Sequence, residues 1–100
     1  MTELKNANVS NVPEAVEVED MAYQTNAVKI KAGYTIIWTN NDLTTHTVTE
    51  RNPSTNVPTE GFDSGSLSSD QSYTHVFDKA GTTEYHCTLH LTIIGMIMKS

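Results

Sequence analysis

Cys87 and His90 stand three residues apart in Cys87-Thr88-Leu89-His90, a spacing that lets a thiol and an imidazole on one loop face a single small ion. A second imidazole is offered by His46, far earlier in the chain, within Thr44-Thr45-His46-Thr47-Val48-Thr49. One thiolate and two imidazoles in a trigonal plane, with a weak axial group, form the donor set of a blue-copper site, and the same three residues also suit zinc. Cys87 is the one cysteine of the chain, so no internal disulfide is open to it. It is a buried thiol, a nucleophile or a metal ligand. For a lone cysteine the buried thiol is the ordinary fate, and the spacing to His90 is what favours a ligand.

Such donors need a frame that joins distant segments. With 100 residues the chain has enough material for one modest core. We expect a polar lead-in over residues 1–13, ending at Pro13, and a single domain over 14–100. From Glu14 onward, apolar residues recur every second position: Val16 and Val18, Val28 and Ile30, Ile36 and Trp38. That is the period of a half-buried strand. Ala32-Gly33 and Asn40-Asn41-Asp42 punctuate the runs as turns. Residues 51–70 are rich in Pro, Ser, Thr and Gly and read as a long irregular connection with a short strand inside. Ser72 to Phe77, Thr82 to Cys87 and about Ile94 to Lys99 complete seven or eight strands. Their count and spacing, with no helical stripe, predict an all-β fold, an antiparallel Greek-key sandwich or barrel. Thr44 to Thr49 is predicted to be one of its strands, carrying His46.

Function classes narrow in parallel. The net charge of -6, from 12 acids and 6 bases, opposes nucleic-acid binding and favours basic partners. No apolar run approaches the roughly 18 residues of a membrane span. No Ser-His-Asp arrangement, phosphate-cradling glycine loop or basic aromatic patch offers a rival chemistry. The first residues lack a basic and then apolar leader.

Several segments, in order, resemble the cupredoxins, and among them the plastocyanin, amicyanin and pseudoazurin group. They are Val28-Lys29-Ile30-Lys31-Ala32-Gly33, Ile37-Trp38-Thr39-Asn40-Asn41-Asp42, Thr45-His46-Thr47-Val48-Thr49, Phe77-Asp78-Lys79-Ala80-Gly81-Thr82 and Glu84-Tyr85-His86-Cys87-Thr88-Leu89-His90. The resemblance spans roughly residues 14–99. It implies one copper ion, cycling between Cu(I) and Cu(II), held by His46, Cys87 and His90, with electron transfer as the function. It also implies a redox partner protein, a monomer, and a location outside the cytoplasm, the leader having been removed.

One position departs from the pattern. An amicyanin-like loop sets its axial methionine three residues after the second histidine, and here Ile93 stands there, followed by Ile94-Gly95. A plastocyanin-like loop sets it five residues after, where this chain has Gly95. Met96 would reach the ion only from a loop one residue longer, and Met98 lies further still. We therefore expect Ile93, which has no lone pair, in the axial place. A donor-free axial wall favours Cu(I) and raises the potential. An axial gap admitting water would instead open an inner-sphere route to a small molecule such as nitric oxide, the reading of a small copper enzyme.

Other candidates have plainer readings. Alternation points His86 away from Cys87, to the surface. His75 shares a face with Tyr73 and Phe77 and reads as a boundary residue, while Trp38 and Tyr85 read as core. Leu43, Leu89 and Leu91 surround the two histidine segments, and with His90 they are expected to form an apolar docking patch. Thr47 occupies a place where plastocyanin-like relatives commonly carry Asn, so bracing of the thiolate loop is expected to differ.

Overall fold

In Tyr34-Thr35-Ile36-Ile37-Trp38-Thr39-Asn40 the side chains of Ile36, Trp38 and Asn40 are buried and those between them half-buried, as a pleated strand inside a sandwich requires. The same alternation recurs through the computed structural model, which describes residues 14–51 and 61–100. The expected lead-in over residues 1–13 and residues 52–60 of the irregular connection lie outside the described residues. Eight strands are described: β1 (Glu14–Glu19), β2 (Ala22–Tyr23), β3 (Ala27–Ile30), β4 (Tyr34–Asn40), β5 (Thr49–Arg51), β6 (Ser72–Phe77), β7 (Gly81–Cys87) and β8 (His90–Lys99). They form two four-stranded sheets, ordered β2-β1-β4-β6 and β3-β8-β7-β5. Among the described residues no helix is long and apolar enough to cross a membrane.

The all-β sandwich is as expected, but its pairing is not wholly antiparallel. β1 runs parallel to β4, and β3 runs parallel to β8. After the β1–β2 hairpin the chain crosses to the other sheet as β3 and returns as β4, so these neighbours arrive from the opposite layer. Alternation within a strand carries no information on that crossing. Two boundaries also differ from expectation. The segment around His46 is not a strand; it makes one isolated bridge, His46 to Leu67, and β5 begins only at Thr49. β8 begins at His90 rather than near Ile94.

The layers meet on aromatic rings. Trp38 of β4 is fully buried, and its ring lies 5.3 Å from that of Tyr85 on β7, 5.9 Å from Tyr73 and 6.1 Å from Phe62. Each such ring removes a large apolar area from water, worth about 1.5–3 kcal/mol for a fully buried apolar side chain. Val16, Val18, Ile36, Ile97 and Cys87 belong to the same cluster. Trp38 and Tyr85 are thus core residues, as read. His75 is the boundary residue expected, half-buried with its ring 4.7 Å from that of Phe77.

The buried phenols make a prediction. Burial first, then the neighbouring Tyr85 and Cys87, holds the Tyr23 hydroxyl far above its ordinary range. Burial pushes Tyr85 up to about 12, partly offset by the Trp38 indole. Both folded values lie above the unfolded one near 10, so on alkalinisation the unfolded chain releases its protons first. The fold should therefore lose about 1.4 kcal/mol per pH unit per phenol once the pH exceeds about 10, and nothing from this source below it. Urea midpoints measured on both sides of that pH check the slope; a midpoint that does not fall on the alkaline side would contradict it.

Candidate metal centre

Cys87 ends β7 and His90 begins β8, so Thr88-Leu89 is the tight turn between them. Along the β7–β8 ladder Tyr85 faces Gly95 and His86 faces Ile94, and an unbroken register would next set Cys87 opposite Ile93. Instead the register shifts between His86 and Cys87, and Cys87 faces His90. A local irregularity of this kind re-aims side chains at the end of a ladder. Here it turns the thiol and the imidazole toward each other.

His46 approaches from the other side, held by two backbone hydrogen bonds: its own N–H donates to the Leu67 carbonyl at 3.1 Å, and the Leu67 N–H donates back at 2.8 Å. The Cys87 Sγ lies 3.8 Å from Nδ1 of His46 and 3.8 Å from Nδ1 of His90. All three donor atoms lie within 4.8 Å of one another. Cys87 and His46 are fully buried, and His90 is half-buried at the rim. Separations of this size leave room for one ion among the three donors, and a soft thiolate with two imidazoles is a donor set that copper accepts.

Two further groups prepare these donors. The Thr47 N–H points at the Cys87 Sγ at 3.4 Å. The Thr47 hydroxyl oxygen accepts from the Thr88 N–H at 2.8 Å and from the Thr49 hydroxyl at 3.1 Å, so it ties the turn after Cys87 to the segment after His46. Thr47→Val keeps the shape and deletes the acceptor, leaving the Thr88 N–H without it. Stability is expected to fall by about 1–3 kcal/mol, read as a urea midpoint shift; an unchanged midpoint would remove the brace.

The second group is Asp42, which sequence reading took only as a turn former. One carboxylate oxygen lies 2.8 Å from His46 Nε2. The Asp20 and Met21 N–H groups also donate to this carboxylate, at 2.8 and 2.9 Å. Met21's amide foremost, opposed next by burial and helped by the His46 and Asp20 hydrogen bonds, holds the Asp42 carboxyl below the usual carboxylate range. An acid four residues before a candidate ligand is a usable signal, but nothing in the pattern said that the loop folds back.

The remaining sequence candidates separate cleanly. Ile93 is buried, 4% exposed, in the core cluster that contains Cys87. Met96 is half-buried and pairs with Glu84 in mid-strand, on the alternate face from Ile93, Gly95 and Ile97. Met98 shares that outer alternation. His86 lies outside the donor cluster, half-buried, with burial and then Arg51 pushing its imidazole down. Leu43 is 94% exposed and Leu89 53% exposed. The side chain of Leu91 lies outside the described residues.

Comparison with known proteins agrees with this geometry. A family model described as copper binding proteins of the plastocyanin/azurin family matches residues 10–100. An amicyanin of Paracoccus versutus is 34% identical over 83 residues, covering 83% of this chain and 61% of that protein. The chain thus spans about three fifths of that relative's length. The solved structure of a reduced tryptophan-to-tyrosine variant of amicyanin aligns with a TM-score of 0.79 at 26% identity, covering 94% of this chain and 88% of that one. A purple cupredoxin from Nitrosopumilus maritimus has the same fold, with a TM-score of 0.78 at 22% identity over 87% of this chain and 99% of its own.

Proposed function

Since the chain belongs to the copper-binding plastocyanin/azurin family, we propose that it is a type 1 copper protein that transfers single electrons, with His46, Cys87 and His90 as the ligands. The observation that carries this reading is the convergence of one buried thiol and two imidazole Nδ1 atoms within 4.8 Å. Copper bound there would supply a one-electron couple between Cu(I) and Cu(II). The protein's own share is to hold the donors still. His46 is fixed by its bridge to Leu67, Cys87 by the end of β7, and His90 by the turn that Thr47 braces. A donor set that does not move between oxidation states keeps reorganisation small, which is what an electron carrier needs.

The half-buried His90 is the contact to the outside, with the exposed Leu43 and Leu89 as an apolar rim for a redox partner protein. Action as a monomer, outside the cytoplasm, completes the reading. One equivalent of Cu(II) is expected to develop an intense visible thiolate band that a one-electron reductant bleaches and an oxidant restores. A protein that takes up Cu(II) without such a band would end the reading.

Ile93 is proposed to fill the axial place, supported by its burial in the cluster around Cys87. This favours outer-sphere transfer over the inner-sphere alternative, because a packed side chain excludes a water-sized ligand. Ile93→Met offers a thioether that stabilises Cu(II), so the potential should fall by about 59 mV for each tenfold gain in the Cu(II) over Cu(I) affinity ratio. Voltammetry of the two copper-loaded proteins decides it. An unmoved potential would place Ile93 away from the ion.

A further inference from the structure

The first loop of the site is built before any metal enters it. Asn40, fully buried, accepts the Asp42 N–H on its side-chain oxygen at 2.9 Å and donates its amide to the Thr44 and Leu67 carbonyls at 2.9 and 2.8 Å. That one side chain ties the start of the loop to its middle and to the residue that bridges His46. Across the loop stands the turn between β1 and β2, where Asp20 and Met21 both adopt left-handed backbone, with φ of 56° and 59°. Two successive residues in that conformation aim two successive N–H groups at one point. The point is the Asp42 carboxylate. Its remaining acceptor capacity faces His46 Nε2, on a ring with no exposure to solvent.

A carboxylate accepts and does not donate, so the Nε2 atom of His46 must carry the hydrogen. The neutral ring then leaves Nδ1 bare, and Nδ1 is the atom 3.8 Å from the Cys87 thiol. Without Asp42 the ring could hold its hydrogen on Nδ1, and that tautomer has no lone pair to offer an ion. Outer-sphere carboxylates that accept from a ligating imidazole also raise its basicity. A more basic, more negative donor stabilises the more highly charged metal ion.

We propose that Asp42 is a positioning residue, which locks His46 in the Nε2–H tautomer and biases the copper site toward Cu(II). The proposal rests on the copper reading above and deepens it. It sets two opposed influences on one potential: Ile93 withholds a donor and favours Cu(I), while Asp42 strengthens an existing donor and favours Cu(II). It also links the potential to the β1–β2 turn, since that turn supplies both backbone N–H groups that orient the carboxylate.

The test uses the wild-type protein, Asp42→Asn and a control, Asp20→Asn. The control removes a nearby exposed charge but keeps both the backbone N–H and a residue that tolerates left-handed backbone. In the copper-loaded proteins, Asp42→Asn is expected to weaken Cu(II) binding 10- to 100-fold, the usual range for losing such a partner. If Cu(I) binding changes at least tenfold less than this, the potential rises by about 59 mV or more. Asp20→Asn should leave both quantities within about twofold, as exposed charges are well screened. Equal potentials in wild type and Asp42→Asn, or an equal rise in the control, would overturn the bias.

The tautomer is read separately, in metal-free wild-type protein, from the ¹⁵N shifts of the His46 ring. A protonated Nε2 and a bare Nδ1 are expected, and a hydrogen on Nδ1 would overturn the positioning role even if Asp42→Asn failed to fold. If wild-type protein formed no thiolate band, the copper reading would fail and the redox bias with it, while the ring shifts would still judge the positioning of His46.

Discussion

Cys87→Ser is expected to abolish the visible thiolate band completely. The chain has one cysteine, so any thiolate-to-copper transition must come from Cys87, and a band that survived the substitution could not be thiolate in origin. A serine hydroxyl keeps its proton where a cysteine thiol readily releases its proton on binding a metal, so the variant exchanges a soft anionic donor for a hard neutral one. Cu(II) affinity should fall by more than about 100-fold, because even outer-sphere partners are worth 10- to 100-fold. The fold should survive, since a serine oxygen can take the N–H of Thr47 that now points at the sulfur. A urea midpoint within about 1–2 kcal/mol of wild type would show that the loss is chemical and not structural. Zinc must be excluded from both preparations, because Cys and two His bind it too and a zinc-filled site is colourless.

Gly95→Ala is expected to be the most damaging small substitution in β8. A Cβ at this position would lie 2.3 Å from Cζ, 2.5 Å from the hydroxyl oxygen and 2.7 Å from Cε1 of Tyr85. The Tyr85 ring has nowhere to yield. It is fully buried, with the rings of Tyr23 at 4.6 Å and Trp38 at 5.3 Å. Overpacking of this kind costs about 1–3 kcal/mol, and the confinement of the ring points to the upper end. For a domain of this size that corresponds to a loss of roughly 12–24 °C in melting temperature. A thermal melt within a few degrees of wild type would mean that the two sheets can part more easily than their aromatic packing indicates. The same contact explains why no methionine side chain stands at this position: its space belongs to Tyr85. Met96 lies on the opposite alternation from the buried Ile93.

These expectations separate the roles around the site. On the proposed copper reading, Cys87 would supply the thiolate, Thr47 would brace the turn that follows it and Asp42 would orient the imidazole that comes from the other side. Gly95 leaves the space that the buried Tyr85 ring occupies. Stability and redox readouts should therefore respond to different substitutions: Gly95→Ala and Thr47→Val chiefly move the first, Asp42→Asn and Ile93→Met the second.

What was legible from the amino-acid order was whatever is local or periodic. The two-residue alternation in Val16-Glu17-Val18 and Ile36-Ile37-Trp38 exposes strands, because successive side chains of a strand face opposite sides. Cys87 and His90 were readable as a pair because ligands three residues apart on a turn need no distant information to meet. His46 was readable as a candidate second imidazole, with resemblance adding the ligand role, and the structure brings all three donors together. What only the tertiary structure decided is what depends on long-range pairing. The parallel registers of β1 with β4 and β3 with β8 follow from chain crossings between layers. The shift that sets Cys87 opposite His90 is invisible in a strand pattern, since an unshifted ladder satisfies the same alternation. Asp42 reads as one more turn residue until the β1–β2 turn, 21 and 22 residues earlier, donates to it and leaves it facing His46. Composition and spacing name the atoms that can bind an ion; which lone pair faces it is settled by hydrogen bonds from residues remote in sequence.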